Sequence, residues 1–584
     1  MGTISDKLMR IINTKEDIRQ ALISKGYDVP TSIPFKEYAK MILDLPCNAD
    51  SFPDIEGIVA RYSASGLTNE QMAANPVWVD KTGNGYDLQL KNFSWKGMSG
   101  VGGYVQDFND FRNNATVDKI RIDEQSSNSI KVTILTTGIH NAIYIPKNIY
   151  QFNKSYFIKI SSEGYNEGDL SLLFYAPSTS TATTVKVPLN PNGITEIPAI
   201  KEDDFLAVYL AVEGRVGSIT LEQLPLYPGA LVFDGVDDYG TCDNFPILTK
   251  EKGYTVVALR QWIEEKNSVT ALASNSKNWS QDGAFVFEYN NLESNYPNIE
   301  ISFGSNNMFD RGLSPYSYQT SKSYNGNLIE SGSFLGSDKL VVAKANENLS
   351  PNSNIAIWEI VILDHDATEE ELTKIKDYFV KTYPWLFPDQ AWTVTGKTNE
   401  DEDRATIANI TGNGNDLVLS NFGFAEGSGY NEEGEYAGYL VTDGVDDKAV
   451  SKQFKFGENF TVILDFKFPV KKISYCGFDL SSKVRIQNIQ GSGVYVVLKG
   501  NKTLIPSNVV RAATSEGKVY DENWNEYNIV PGNISSNYTM VNLGFDGSNQ
   551  FAESATKLAG IYSSALSKEE CIKAYNYLQT IKSK

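Results

Sequence analysis

The stretch Tyr227 to Gly235, YPGALVFDG, returns at Tyr436 to Gly444 as YAGYLVTDG, and Val-Asp-Asp follows each of them. Each reads as a short apolar run closing on an Asp-Gly turn. Working outward, more of the chain is paired. Ser65-Gly66-Leu67-Thr68-Asn69-Glu70 recurs as Thr395-Gly396-Lys397-Thr398-Asn399-Glu400, and Thr82-Gly83-Asn84-Gly85-Tyr86-Asp87-Leu88 as Thr411-Gly412-Asn413-Gly414-Asn415-Asp416-Leu417. Late in each copy a strand pattern leads into a capped helix. Thr368 stands three residues before Glu371, and Ser567 three before Glu570. In such a capping box the hydroxyl accepts from a free N–H of the first turn and the carboxylate reaches back. Five landmarks in one order define an internal repeat.

The spacing locates an insertion. Thr411 precedes Tyr436 by 25 residues, whereas Thr82 precedes Tyr227 by 145, an excess of 120 residues. That is about one small domain. The extra chain lies at 107–226 and alternates as strands do, at 119–122, 129–134, 156–160, 171–175 and 206–210. Turn clusters such as Asn190-Pro191-Asn192-Gly193 separate these runs. The spacing predicts an antiparallel β-sandwich whose ends, near 106 and 227, lie close together. The repeats are strand-rich too, as at Thr461–Phe466 and Ala284–Tyr289, with few helices besides those near 368–381 and 567–582. Strands with one buried and one solvated side suit a sandwich or jelly roll.

Residues 1–46 read differently. Thr14-Lys15-Glu16-Asp17 opens a helix carrying Ile18, Ala21, Leu22 and Lys25, and Gly26 stops it. Pro34 opens a second, with Phe35, Tyr38, Ala39 and Ile42 on one face, and Pro46 ends it. Two such short helices are too small for a core of their own. The apolar residues Ile18, Leu22, Phe35, Tyr38 and Ile42 are therefore the candidate partner-binding residues.

The chain has 584 residues and a net charge of −20, with 52 Lys and Arg against 72 Asp and Glu. A phosphate backbone would be repelled, so no nucleic-acid partner is expected. No apolar run approaches the roughly 18 residues of a membrane span, and no secretory signal pattern opens the chain. Cys47, Cys242, Cys476 and Cys571 form no C-x-x-C pair. They read as buried, reduced thiols. The only histidines, His140 and His365, leave little room for histidine-based catalysis or metal binding.

Two resemblances rest on these residues. Thr14 to Leu22, Lys25-Gly26, Pro34-Phe35 and Tyr38-Ala39 resemble a short helical module of structural proteins of tailed bacteriophages. The Thr-Gly-Asn-Gly turn with its Asp-Leu, then Asp-Gly-Val-Asp-Asp, then Ile561 to Ser567 with Glu569-Glu570, resembles laminin-G-like, concanavalin-type jelly rolls. The first copy departs from this pattern at Ile362 to Asp366. The jelly-roll resemblance implies glycan or protein contact, with calcium often at the rim. The combination is similar to appendage proteins of phages of gut bacteria, crAss-like phages among them.

The carboxylate clusters are Asp234, Asp237 and Asp238, and Asp443, Asp446 and Asp447. Asp in an Asp-Gly turn bonds its own backbone two residues on. Calcium would need six to eight oxygens. The turn reading is preferred, so no cofactor is expected, with calcium kept as the alternative. Glycoside hydrolysis needs two carboxyls facing across a groove, and no short E-x-D-x-x-E strand motif occurs. Thr-Gly-Asn-Gly lacks the Lys-Ser or Lys-Thr of a phosphate loop. Tyr383-Pro384-Trp385-Leu386-Phe387-Pro388 reads as a stiff linker, and Glu400 to Asp403 as a solvated acidic loop.

The sequence thus predicts a mainly β, multidomain chain: a helical anchoring module at 1–46, a discontinuous jelly roll at 53–106 and 227–386, an inserted β-sandwich at 107–226, and a second jelly roll at 388–584. The expected role is a virion tail or head appendage, assembled in the host bacterial cytoplasm and oligomeric in the particle. It docks on other virion proteins through 1–46 and presents its sandwiches to a host surface glycan or a protein, without enzymatic activity. A decoration protein without receptor and a glycan depolymerase are the alternatives.

Overall fold

The computed structural model of the chain describes residues 52–248, 252–264, 271–276, 286–287, 315–321, 336–345, 352–468, 475–481, 483–489, 493–532, 538–545 and 551–581. The helices expected over 1–46, with Ile18, Leu22, Phe35, Tyr38 and Ile42, lie outside the described residues. Two compact units divide the chain: Met1–Glu56 with Glu370–Tyr378, and Gly57–Glu369 with Phe379–Lys584. In the first, the rings of Phe52 and Tyr378 meet edge to face at 4.9 Å. The second holds the sheets.

The protein is mainly β, and its paired strands run antiparallel. One sheet runs Tyr316–Thr320, Thr255–Glu264, Asn354–Leu363, Leu231–Asp234, Gly100–Val101, with Ile58–Ser63 also pairing Asn354–Leu363. A second runs Val286–Phe287, Ala273–Ser276, Gly336–Val342, Tyr239–Asp243, Leu88–Lys91, Val77–Trp78. Strands from before residue 102 and after residue 230 thus share both sheets, around one core that includes Tyr62, Leu88, Phe233, Val256 and Ile357.

Beyond residue 389 the same order returns. Gly429–Asn431, Tyr439–Asp443, Glu553–Tyr562, Thr461–Lys467 and Val509–Thr514 adjoin in that sequence, and Gln390–Thr393 pairs Glu553–Tyr562. Opposite run Thr406–Ile407, Leu417–Ser420, Lys448–Val450, Val541–Leu543, Tyr475–Leu480 and Val484–Ile489, extended by Gly493–Leu498 and Asn501–Ile505. The repeat reaches single side chains. Asn69 Oδ1 accepts from the Val101 N–H at 2.7 Å, and Asn399 Oδ1 from the Tyr430 N–H at 2.8 Å. Each amide lies where a Cβ on the preceding glycine would stand, 2.4 Å from it at Gly100 and 2.5 Å at Gly429, so neither position accepts a side chain. A short helix, Asn69–Ala74, follows the cap Thr68 in the first copy and was not expected.

Residues 112–223 form two sheets of their own around a separate core. One runs Val185–Pro188, Leu170–Tyr175, Ala207–Val212, Asn141–Pro146, Arg112–Asn113. The other runs Ile194–Ile197, Tyr156–Glu163, Gly217–Gln223, Ser129–Ile134, Ile120–Gln125. The chain enters and leaves through one neck. Leu226 N–H donates to Gly103 O at 2.9 Å and Tyr227 N–H to Gly102 O at 2.8 Å. Just inside it, Gln106 N–H donates to Gln223 Oε1 at 2.9 Å, and Gln223 Nε2 returns to Gln106 O at 3.1 Å. Both glutamines are buried. With their amides paired, the desolvation penalty of buried polar groups is met.

The helix Lys568–Gln579 is started by a formed capping box, Ser567 with Glu570. Its far end touches all three sandwiches. Tyr575 packs edge-on against Phe157 (5.5 Å) and Trp524 (5.8 Å), and Tyr577 against Trp358 (6.2 Å). Gln261 Nε2 donates to Thr580 Oγ1 at 2.8 Å. Beside it, Arg511 is paired with Glu196 of the inserted sandwich at 3.0 Å and with Asp465. Asp465 also accepts from Tyr439 OH (2.8 Å) and Gln579 Nε2 (3.0 Å). Burial pushes the Glu196 carboxyl up, against the pull of Arg511. At Asp465 burial also works upward, but Arg511, Lys557 and the two hydrogen bonds outweigh it and hold the carboxyl at about 2. Charges this enclosed persist only when paired.

Candidate functional site

The aspartate clusters serve their own turns. Asp234 Oδ1 accepts from the Val236 N–H at 2.7 Å, and Asp238 Oδ2 from the Asp234 N–H at 3.1 Å. Ser99 Oγ donates to Asp238 Oδ1 at 3.1 Å, and Asn92 Nδ2 to Asp237 O at 3.0 Å. The second copy repeats three of these four bonds: Val445 N–H to Asp443 Oδ1 at 2.8 Å, Asp443 N–H to Asp447 Oδ2 at 2.9 Å, Asn421 Nδ2 to Asp446 O at 3.0 Å. Gly235 and Gly444 bend the turns at φ of +74° and +73°. Asp238 and Asp447 are fully buried. Burial raises Asp238 to about 7 and also raises Asp447. In each cluster one oxygen from each of three carboxylates lies within 4.8 Å of the others. Three such oxygens are half of what calcium takes, and both oxygens of Asp238 already accept hydrogen bonds. The donor set suits the turn.

The histidines take no part in a common site: His140 is exposed, and His365 Nδ1 lies 3.3 Å from its neighbour Asp364. Trp385, the tryptophan of the linker, is buried, with Lys573 Nζ over its ring at 4.7 Å. Cys242, Cys476 and Cys571 are buried thiols, and Cys47 lies outside the described residues.

A different cluster stands on the outer face of the inserted sandwich. Side chains alternate across a strand. In Asn141–Pro146, Leu170–Tyr175 and Ala207–Val212, alternation sends Ile143, Ile145, Leu172, Phe174, Val208 and Leu210 into the core. It sends Tyr144, Leu173, Tyr175 and Tyr209 outward. Register then lines them up: Arg112 pairs Tyr144, Tyr144 pairs Tyr209, Tyr209 pairs Leu173, and Leu173 pairs Lys186. The result is one row across five strands, tyrosine and leucine in the middle and a cation at each edge.

Ring centroids of Tyr144 and Tyr209 lie 5.8 Å apart, tilted by 34°, and Tyr175 meets Tyr209 edge-on at 6.1 Å. Tyr175 keeps 39% of its surface, and Leu206, whose N–H donates to Tyr175 O, keeps 57%. Tyr144, Tyr209 and Leu173 are half-buried. Burial by its neighbours, then the nearness of Tyr144 and Tyr175, raises the Tyr209 phenol. Phenol rings shown to water in a contiguous group offer a flat surface with polar tips, the usual makings of a recognition face. The sequence carried a signal for it, a tyrosine at an outward position of three strands. It did not carry which strands adjoin.

No known protein-family model matches the sequence, and no curated protein matches it. Solved structures do. The chain is similar to Trypanosoma rangeli sialidase at 10% identity and a TM-score of 0.25, over 82% of this chain and 95% of that one. A mutant of that sialidase displaying trans-sialidase activity matches at 9% identity and a TM-score of 0.22, over 40% of this chain, which spans only 42% of that one. The CBM22-1–CBM22-2 tandem of Paenibacillus barcinonensis Xyn10C matches at 10% identity and a TM-score of 0.16, over 47% of this chain and 99% of that one. The expectation of a chain without enzymatic activity is corrected by the sialidase matches and is withdrawn. At this level of likeness they assign no reaction and locate no catalytic residue. No helix among the described residues is long and apolar enough to cross a membrane.

Proposed function

We propose that this chain is an adhesion appendage of a tailed phage particle, mounted through residues 1–46, and that it holds a surface glycan on the inserted sandwich. The observation that carries the binding half is the Tyr144–Tyr209–Tyr175 face. Sugar rings present C–H groups on one side and hydroxyls at the edge. A phenol face with polar tips complements both. The aspartate turns bind their own backbone, which leaves the sheet face as the better candidate than the rim. The mounting half rests on the resemblance of Thr14 to Ala39 to the phage helical module.

The test for binding is retention of the full chain on immobilised surface polysaccharides of intestinal bacteria, with Tyr144→Ala/Tyr209→Ala beside it and released oligosaccharide measured in the same samples. Tyrosine-dependent retention is expected. Retention unchanged in the double variant refutes the site, and release of oligosaccharide assigns a hydrolase in place of an adhesin. For the mounting, particles assembled with a chain lacking residues 1–46 should lack the protein. Normal copy number would remove the anchor.

A further inference from the structure

We infer that the ligand of the tyrosine face is a carboxylated polysaccharide chain, lying across the five strands and held at both ends by Arg112 and Lys186. This rests on the glycan-binding reading above.

The row fixes the geometry. Arg112 and Lys186 stand on the two edge strands, four strand spacings apart, or about 19 Å. Between them lie Tyr144, Tyr209 and Leu173, with Tyr175 to one side. An occupant that meets both cations must be extended and must cross the apolar middle. A linear sugar chain does both, with ring faces over the phenols and charged substituents at the ends. Both cations are exposed. No ion pair holds Arg112 among the described residues. Among the described residues Lys186 is ion-paired with Glu213 at 3.8 Å, with the two side chains 53% and 55% exposed, an interaction too weak to withhold it.

The charge of the whole chain makes this placement informative. At −20 the protein repels polyanions at long range. Screening limits that repulsion to about 8 Å at physiological salt. Contact is then decided locally, by Arg112 at one edge of the face and by Lys186, beside Glu213, at the other. Arg112 supplies a planar fork that fits a carboxylate through two parallel hydrogen bonds, and Lys186 a point charge. A neutral glycan would use the phenols and leave both cations idle.

The experiment is a glycan array of microbial polysaccharides with carboxylated, neutral and sulfated members, probed with the full chain, with Tyr144→Ala/Tyr209→Ala and with Arg112→Gln/Lys186→Gln. Unchanged melting temperatures certify that both variants fold. The expected pattern is selective retention of carboxylated members, lost in the tyrosine variant and weakened about tenfold in the cation variant. Tyrosine-dependent retention of neutral members as strong as carboxylated ones overturns the acidic ligand and leaves glycan binding standing. A sulfated preference overturns the carboxylate assignment. Retention of no member, or retention indifferent to the tyrosines, takes down both.

Discussion

Replacing Asp465 by Asn is the sharpest probe of how the sandwiches are joined. The carboxylate is 1% exposed and accepts from Arg511, Tyr439 and Gln579. The amide keeps the shape. It turns one acceptor into a donor that points at another donor, and it leaves Arg511, itself 6% exposed, with Glu196 as its remaining counter-charge. Losing one charged hydrogen bond costs about 1.5–3 kcal/mol. Removing one partner of a fully buried pair costs about 3–5 kcal/mol. Arg511 retains Glu196 and its stacking over Tyr575 at 4.7 Å, so the lower part of that span applies, about 2–4 kcal/mol. For a domain of this size that is a fall of roughly 5–15 °C in the melting transition. Differential scanning calorimetry reads it directly. Glu196→Gln should cost less, about 1 kcal/mol, because the Glu196 side chain keeps 24% of its surface. The double variant should show coupling between the two sites. A loss below 2 °C for Asp465→Asn would refute a buried charge network at this junction.

Three further outcomes are expected. Asp465, at about 2 against an ordinary 3.8, contributes about 2 kcal/mol that is present above pH 4 and lost as pH falls through 2. Acid melts of the wild type should show that slope, and Asp465→Asn should flatten it. Asp238 works in the opposite sense: raised to about 7, it favours the fold when protonated, so stability declines as pH rises from 4 to 7. Asp238→Asn should remove that decline, and melts at pH 5 and 8 check it. Ser567→Ala opens the capping box of Lys568–Gln579 and should cost about 1 kcal/mol by urea unfolding, with Ser567→Gly costing less than Ser567→Ala.

What the sequence disclosed was local or repeated. The capping box at Ser567 and Glu570, the Asp-Gly turns at 234 and 443 and the strands at 129–134 and 461–467 all follow from neighbours within a few residues. Strands with only two apolar side chains at alternate positions, such as Val185 and Val187 in Val185–Pro188 and Ile219 and Leu221 in Gly217–Gln223, escaped. So did the tyrosine face, because Tyr144 and Tyr209 become neighbours only through a pairing 65 residues apart. The jelly-roll resemblance implies calcium at the rim, whereas the alternation within each strand of the insertion points outward from a sheet. The contacts of Tyr575 and Tyr577 with other sandwiches had no sequence signal. Helical periodicity tells that a face is apolar, not what covers it.

The neck at Gln106 and Gln223 has a mechanical consequence. Traction on the inserted sandwich is carried by two covalent strands side by side together with its contacts at Tyr575 and Arg511, so no single strand bears the load alone. The reciprocal amide pair ties those strands together just where they emerge. A module spliced into a host by both ends shares between two strands a load that one strung on a single thread would carry alone.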